Sequence, residues 1–230
     1  MIRDNKVIKY ILYAIGEIIL VVIGILIALS INNSNELKKT RDAEKVYLKE
    51  IKSDLIQDTL LLSQVIQDHK WRIAQLMSQD STIDFIFEEI IGELPKVAGV
   101  SELEYIFFTD RKFRPKIGTY NSMISEGKSN IISNRGLFNN IQNIYELEAQ
   151  NIITIGEDVL DRSNDLRNKY AYEIKYGDFG SPIKITDKRI LADIYISSGQ
   201  LNYYTRQSVL LKRRITELIE LIDNEYQSLE

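Results

Sequence analysis

The sequence predicts an all-α protein in which one N-terminal transmembrane helix continues into an elongated antiparallel bundle of long, coiled-coil-like helices. Three observations predict this class. The 230 residues include only 3 prolines and 11 glycines, which is too little punctuation for an all-β fold. Residues 11–31 form an apolar run of membrane-spanning length. Beyond this run, apolar residues recur at the spacing of a helix. One such stripe is Leu48, Ile51, Leu55, Leu62, Val65, Ile73 and Leu76, and another near the C-terminus is Leu201, Tyr204, Leu211, Ile215, Leu218, Ile222 and Leu229.

The apolar run, ILYAIGEIILVVIGILIALSI, is predicted to cross a membrane once. Its 21 residues make a helix of about 31 Å, which matches a hydrocarbon core of about 30 Å. Fourteen of them are Ile, Leu or Val, and their combined insertion free energy exceeds the roughly 2.5–3 kcal/mol that Glu17 costs. The rival interpretation is a signal peptide cleaved near Ala28-Leu29-Ser30, but the run is long for one and contains an acid.

The basic tail of residues 1–10 is expected to stay in the cytoplasm and the domain of residues 32–230 to lie in the periplasm, anchored to the inner membrane. Long domains cross a membrane regardless of their charge, whereas short basic tails do not. The lipid bilayer is therefore the first expected partner.

Five residues of the apolar run share one helical face, since their spacings alternate between three and four. They are Ala14, Glu17, Val21, Gly24 and Ala28. Small residues let helices approach closely in lipid, so this stripe predicts contact with a second copy or another membrane protein. Glu17 either hydrogen-bonds within that contact or carries protons for an ion-driven complex.

Three long helices are predicted in the domain of residues 32–230. They span about residues 36–78, 134–175 and 187–229, with short helices and loops in residues 79–133. Ser133 or Asn134 would cap the second helix, and Gly199 is expected to bend or break the third.

The first two long helices, separated by a compact group of short ones, are long enough to run out from the membrane and back. That arrangement would place the loop of residues 177–186 beside the bilayer, with aromatic and basic side chains at the headgroups. These residues are Lys169, Tyr170, Tyr172, Lys175, Tyr176, Phe179 and Lys184. The alternative is that they snorkel along a solvated helix end.

Composition and motifs argue against catalysis, a cofactor or a nucleic-acid partner. The net charge of −4 lacks a basic footprint for nucleic acid, and the absence of cysteine excludes thiolate sites. His69 lies on the apolar stripe of its helix and is expected to be a core residue. The acid clusters, Glu88-Glu89 among them, and the basic loop of residues 111–116 are typical of solvated surfaces, although the loop could contact an anion or a partner.

The stretch KYILYAIGEIILVVIGILIALSINNSNE resembles the N-terminal hallmark of an uncharacterised family of bacterial single-pass membrane proteins. In that family the segment runs into Asn-Asn-Trp-Asn-Glu, where this chain has Ser34 in place of Trp. A second hallmark is Thr-Tyr-x-x-Leu-x-x-Ser-Gly followed by Ile-x-Asn. It is matched by Thr119, Tyr120, Ser125, Gly127, Ile132 and Asn134, with Met123 for Leu and Glu126 before the Gly. The resemblance implies a membrane location and no reaction.

The sequence therefore predicts a membrane-anchored helical interaction, scaffold or sensor module that is not an enzyme. The alternative is an accessory subunit of an ion-driven membrane complex that uses the carboxyl group of Glu17.

Overall fold

A computed structural model of the chain describes residues 4–79, 83, 88–97, 107, 111–176 and 185–229. The helices are α1 (Asp4–Gln79), α2 (Glu88–Ile91), α3 (Gly118–Ser125), α4 (Arg135–Asn143), a π-helical segment (Ile144–Glu148), α5 (Ala149–Lys169), α6 (Ala171–Tyr176) and α7 (Lys188–Ser228). The described residues contain no strand. The prediction of an all-α fold with a long N-terminal apolar helix is confirmed.

Helix α1 joins the predicted membrane segment to the first helix of the domain without a break. Its 76 residues extend about 114 Å at 1.5 Å per residue. The polar residues 32–35 lie inside this helix. Asparagine and serine have a low helix propensity, but they do not prevent a helix from continuing through them. Every apolar residue predicted for its inward stripe is buried: Leu48, Ile51, Leu55, Leu62, Val65, Ile73 and Leu76.

Helix α7 packs antiparallel on the domain half of α1. The pairs that show this direction are Lys45 with Tyr226, Lys52 with Asp223, and His69 with Tyr204. The predicted break at Gly199 is wrong, since α7 continues through it. A helical glycine costs only about 1 kcal/mol, and burial of the neighbouring Ser198 and Leu201 holds this turn in place.

The chain returns toward the membrane segment along α1 through residues 111–133. Successive contacts with α1 are Arg111 with Asp68, Lys116 with Asp58, Glu126 with Tyr47, and Ser133 with Glu44. These residues were expected to belong to a compact group at one end of the bundle. That expectation is wrong for residues 111–133, which instead form the descending limb of the fold.

The second long helix therefore starts beside the membrane segment and runs away from it. Asn134 caps α4 by accepting a hydrogen bond from the Leu137 backbone at 3.1 Å, as predicted. The helix continues through the π segment and α5, then turns at Tyr170 into α6. The bundle thus has a proximal end next to the apolar segment and a distal end where residues 170–176 and 185–187 lie.

Candidate functional site

The apolar segment of α1 touches nothing else in the described chain. Every described side chain from Leu12 to Asp42 is exposed, while Glu44 and Leu48 are already buried in the bundle. The described part of the chain has one helix long and apolar enough to cross a membrane, with a mean hydropathy of 2.8 in this segment. Large exposed apolar surfaces in water mark contacts with lipid or protein.

The predicted helix-contact stripe lies on this open segment. All five of its residues, from Ala14 to Ala28, are exposed, and no atom lies within 4 Å of a Cβ placed on Gly24. Glu17 likewise has no contact with another helix of the chain. The stripe is free to accept a partner helix, and the contact itself stays a prediction.

Lys169, Tyr170 and Tyr172, three of the predicted membrane-surface residues, lie at the distal end of the bundle, far from the apolar segment beside which they were expected. Lys169 and Tyr170 both bind Asp193 on α7, at 2.5 and 2.6 Å. Tyr204 faces His69, so Asp193 lies about 70 Å beyond the apolar segment along the bundle axis.

This distance separates Lys169 and Tyr170 from the apolar segment of α1. Tyr170 is moreover 3% exposed, with its ring stacked on Phe107, whereas Tyr172 is exposed to solvent. The side chains of Lys175 and Tyr176, together with Phe179 and Lys184, lie outside the described residues. The position predicted for Lys169, Tyr170 and Tyr172 was wrong because residues 111–133 run back along α1, which reverses the direction of the second long helix.

A charged cluster closes the distal end. The carboxylate of Asp193 also accepts a hydrogen bond from Arg162 at 2.7 Å. Burial raises the pKa of Asp193, but the hydrogen bonds from Lys169 and Tyr170 outweigh it and hold that pKa below its usual value. The cluster ties α5 to the start of α7, which is a structural role.

A second polar cluster closes the proximal end. Glu44 accepts hydrogen bonds from the backbone and the hydroxyl of Ser133, at 2.7 and 2.9 Å. The amide of Asn134 donates to Glu225 at 2.6 Å. These bonds fix the start of the second long helix against both α1 and α7.

The second family hallmark is explained by this corner of the fold. Gly127 has φ +68°, and the Lys128 backbone donates to Met123 at 2.9 Å, which ends α3 in a left-handed turn. Ile132 is fully buried and Asn134 is the helix cap. These residues of the hallmark specify a turn, a buried contact and a helix cap.

Asp58 is a buried carboxyl group in the middle of α1. It is 1% exposed, and one oxygen accepts the Lys116 backbone N–H at 2.7 Å while the other has no hydrogen-bond partner. Burial raises the pKa of Asp58 to about 6, and the neighbouring Asp54 adds to this shift. Its position on the apolar side of α1 was a signal that the sequence analysis did not use.

His69 is a core residue, as its place on the apolar stripe predicted. It is fully buried, and its ring centre lies 4.9 Å from that of Tyr204. Burial lowers the pKa of His69 to about 4. Among the described residues, no group of three or more metal-ligating side chains converges.

The basic loop forms one wall of a cleft of about 580 Å³ against α1. The residues around it are Leu61, Gln64, Val65, Arg111, Lys112, Arg114, Pro115 and Lys116. Lys112 pairs with Glu157 at 3.0 Å, and Arg111 lies 3.8 Å from Asp68. Arg114 and Lys116 form no salt bridge within the described chain, so the cleft carries a local excess of positive charge.

The comparisons with known proteins place the chain in a family but assign no activity. The model of DUF6090, described as a family of unknown function, matches residues 17–193. No curated protein and no solved structure matches the chain. Membership of an uncharacterised family was expected from the sequence, whereas the expected membrane location and bacterial origin do not follow from this match and remain predictions.

Proposed function

This chain belongs to DUF6090, a family of unknown function, and we propose that it is a single-pass membrane protein whose helical domain is a tethered interaction, scaffold or sensor module without catalytic activity. The observation that supports this function is the continuity of α1. The same helix is apolar and exposed over residues 12–31, and from Glu44 onward it packs one of its faces into the bundle.

A continuous helix gives the module a fixed geometry. Between Ile31 and the first buried residue, Glu44, α1 forms a stalk of about 20 Å. A flexible linker would decouple the domain from the membrane, but a helix transmits the orientation and the rotation of the segment to the bundle. Any partner that binds the apolar segment therefore also orients the domain.

Cysteine labelling tests the membrane location and the orientation. The chain has no cysteine, so Asn5→Cys and Lys96→Cys each introduce a unique thiol. In intact cells whose outer membrane has been permeabilised, we expect a membrane-impermeant maleimide to label Lys96→Cys but not Asn5→Cys. Both must resist extraction of the membranes with alkaline carbonate. Release of the protein by carbonate would refute the anchor, and the reverse labelling pattern would refute the periplasmic domain.

Oxidative crosslinking tests self-association through the stripe. Val21→Cys lies on the stripe, whereas Ile19→Cys lies on the opposite face at the same depth, since two residues rotate a helix by about 200°. We expect disulfide-linked dimers for Val21→Cys only. Equal crosslinking at both positions would show random collision instead of a defined contact.

The second candidate function is an accessory subunit of an ion-driven complex, which is favoured by the exposed carboxyl group of Glu17 within the apolar segment. Glu17→Gln keeps a hydrogen-bonding group and removes the ionisable one. If the variant assembles normally but the cells lose the phenotype that the wild-type gene restores to a deletion strain, proton carriage is supported. If the phenotype is restored in full, the scaffold function stands and proton carriage is refuted.

A further inference from the structure

The outer face of α1 in the domain carries no charge from Ser53 to Trp71. The residues along its most exposed line, spaced alternately by four and three, are Val46, Glu50, Ser53, Gln57, Leu60, Gln64, Gln67 and Trp71. All eight are exposed, and from Ser53 to Trp71 none is charged. The solvated face of a surface helix normally carries its charged residues, and 27% of this chain is charged. This uncharged face is therefore unusual for a surface in contact with water.

The uncharged face contains large apolar side chains in an exposed position. Leu60 is 60% exposed, Val46 54% and Trp71 41%. Lys52 pairs with Asp223 on α7, and Asp68 pairs with Arg72. The exposed charges of Lys49 and Glu50 lie at the proximal end of the face, before Ser53. Polar groups that can hydrogen-bond to each other, such as Gln64 and Gln67, separate the apolar ones.

The uncharged face is in register with the stripe in the apolar segment. Ala28 and Val46 are 18 residues apart, which is five full turns at about 100° per residue. Gly24 and Leu60 are ten full turns apart, and Glu17 and Trp71 are fifteen full turns apart, so the members of each pair point in the same direction. Since α1 is one helix, the stripe and the uncharged face lie along the same side of it.

From these observations we propose that the uncharged outer face of α1 docks in parallel against the same face of a second copy of this chain. The inference rests on the proposed membrane anchor. Two copies inserted in the same direction hold their α1 helices parallel and at the same height, so each residue of the face meets its own counterpart. An uncharged face is self-complementary in this arrangement, whereas a face of like charges would repel itself.

The contact does not have to be strong in solution. Glutamines at a helix interface satisfy each other by hydrogen bonds at a cost in stability relative to leucine. The anchor confines both copies to one plane, and this raises their effective concentration enough for a weak interface to form. We therefore expect the dimer in membranes, with one contact in the apolar segment and another from Ser53 to Trp71. The charged residues Lys39 and Asp42, which lie on the same side of α1, separate the two contacts.

The experiment uses the full chain in native membranes, with one cysteine introduced at a time. Gln64→Cys and Gln67→Cys lie on the uncharged face, and Tyr203→Cys is the matched control, exposed on α7 at nearly the same height as Gln67. A disulfide forms only where the two Cα atoms approach to roughly 4–7 Å. Mild oxidation is expected to give several-fold more dimer from the two α1 variants than from the control.

Val21→Cys in the apolar segment separates this inference from the proposed function. Crosslinks at Val21, Gln64 and Gln67, without Tyr203, are the expected result. Crosslinks at Val21 alone would leave a membrane dimer but overturn the docking of the outer faces. Crosslinking of Tyr203→Cys as strongly as Gln67→Cys would also overturn it.

A charge variant gives an independent measurement. Gln57→Glu combined with Gln67→Glu places like charges opposite each other in the proposed dimer and avoids Gln64, which lines the basic cleft. The control Gln207→Glu with Gln227→Glu makes the same change of charge on α7. In the Leu60→Cys background, the α1 pair is expected to reduce the dimer several-fold and the α7 pair to leave it unchanged. An undiminished dimer with the α1 pair would refute the docking.

Discussion

Replacing Asp58 by asparagine is expected to stabilise the domain at neutral pH and to leave its stability unchanged in acid. The carboxyl group of Asp58 is buried, with a hydrogen bond to one oxygen only. Burial raises its pKa from 3.8 to about 6, because the charged form loses its hydration. Asparagine keeps the oxygen that accepts the Lys116 N–H and has no charge to bury.

The expected magnitude follows from the shift of this pKa. A carboxyl group with a pKa raised in the folded state binds its proton more tightly there, so the associated stability is present below pH 3.8 and is lost as the pH rises through 6. A shift of about two units corresponds to about 3 kcal/mol. Asp58→Asn does not lose this stability. Its free energy of unfolding at pH 8 should therefore exceed that of the wild type by up to about 3 kcal/mol.

Urea unfolding of the full chain in detergent, followed by the fluorescence of its single tryptophan, Trp71, measures this difference. The quantity of interest is the free energy of unfolding of the variant minus that of the wild type, between pH 4 and pH 8. Groups that titrate in both proteins cancel in this difference. Asp42→Asn, an exposed position on the same helix, is the control. A difference for Asp58→Asn that does not change across this range would refute the reasoning.

Three further substitutions test other parts of the structure. Gly156→Ala should destabilise the domain by about 1–3 kcal/mol, because its Cβ would lie 2.8 Å from the Tyr204 hydroxyl oxygen, while Gly118→Ala has open space and should cost little. Gly127→Ala should cost about 1 kcal/mol, because alanine is strained at the left-handed φ of +68°. Urea midpoints of Gly156→Ala and Gly127→Ala equal to that of Gly118→Ala would contradict these two predictions. The lowered pKa of His69 should cost the wild type about 3 kcal/mol of stability as the pH falls from 6.5 to 4. His69→Gln has no such group and should not show this loss. The same decrease in the free energy of unfolding over this pH range in both proteins would refute the reasoning.

The sequence was sufficient to identify the helices and their buried faces. The inward stripe of α1 was correct at every apolar position, because a helix that packs along its whole length needs an apolar residue at each turn. In α7, Leu201, Tyr204, Leu211, Ile215, Leu218 and Ile222 are buried as their spacing indicates, whereas Leu229, the last residue of the predicted stripe, is only partly buried. Periodicity records which side of a helix is covered.

The sequence was not sufficient to determine which end of the bundle each helix starts from. The descending limb of residues 111–133 contains only the eight-residue helix α3, and outside this helix it is held by isolated contacts such as the hydrogen bond of Lys116 with Asp58 and the buried side chains of Phe113 and Ile132. Such contacts have no periodic pattern. A compact group of short helices and an extended return path are therefore indistinguishable in the sequence, and the choice between them reversed the predicted position of Lys169 and Tyr170.

The candidate sites could be predicted where they depend on periodic spacing within one helix and could not where they depend on contacts between elements. The stripe of the apolar segment follows from spacing alone, and the structure leaves it exposed. The role of the basic loop depends on which part of α1 it meets, so its cleft against Leu61 and Val65 required the fold. The uncharged outer face required knowledge of burial, because its glutamines and serine are unremarkable residues until their neighbours are known to be covered.

The buried surface of α7 changes in character along its length, and this change bears on how the module works. The buried residues of its proximal half are all apolar, namely Leu211, Ile215, Leu218 and Ile222. Its distal half buries Ile190, Ile194, Leu201 and Tyr204 together with small polar residues, namely Ser197, Ser198, Asn202, Thr205 and Ser208. Burial of apolar surface contributes most of the stability of a helical bundle, whereas a buried hydroxyl group contributes little beyond recovering the cost of its own desolvation. Each buried residue of the distal half therefore contributes less stability on average than one of the proximal half, and the distal half is the part that a partner could rearrange at the lower cost in free energy.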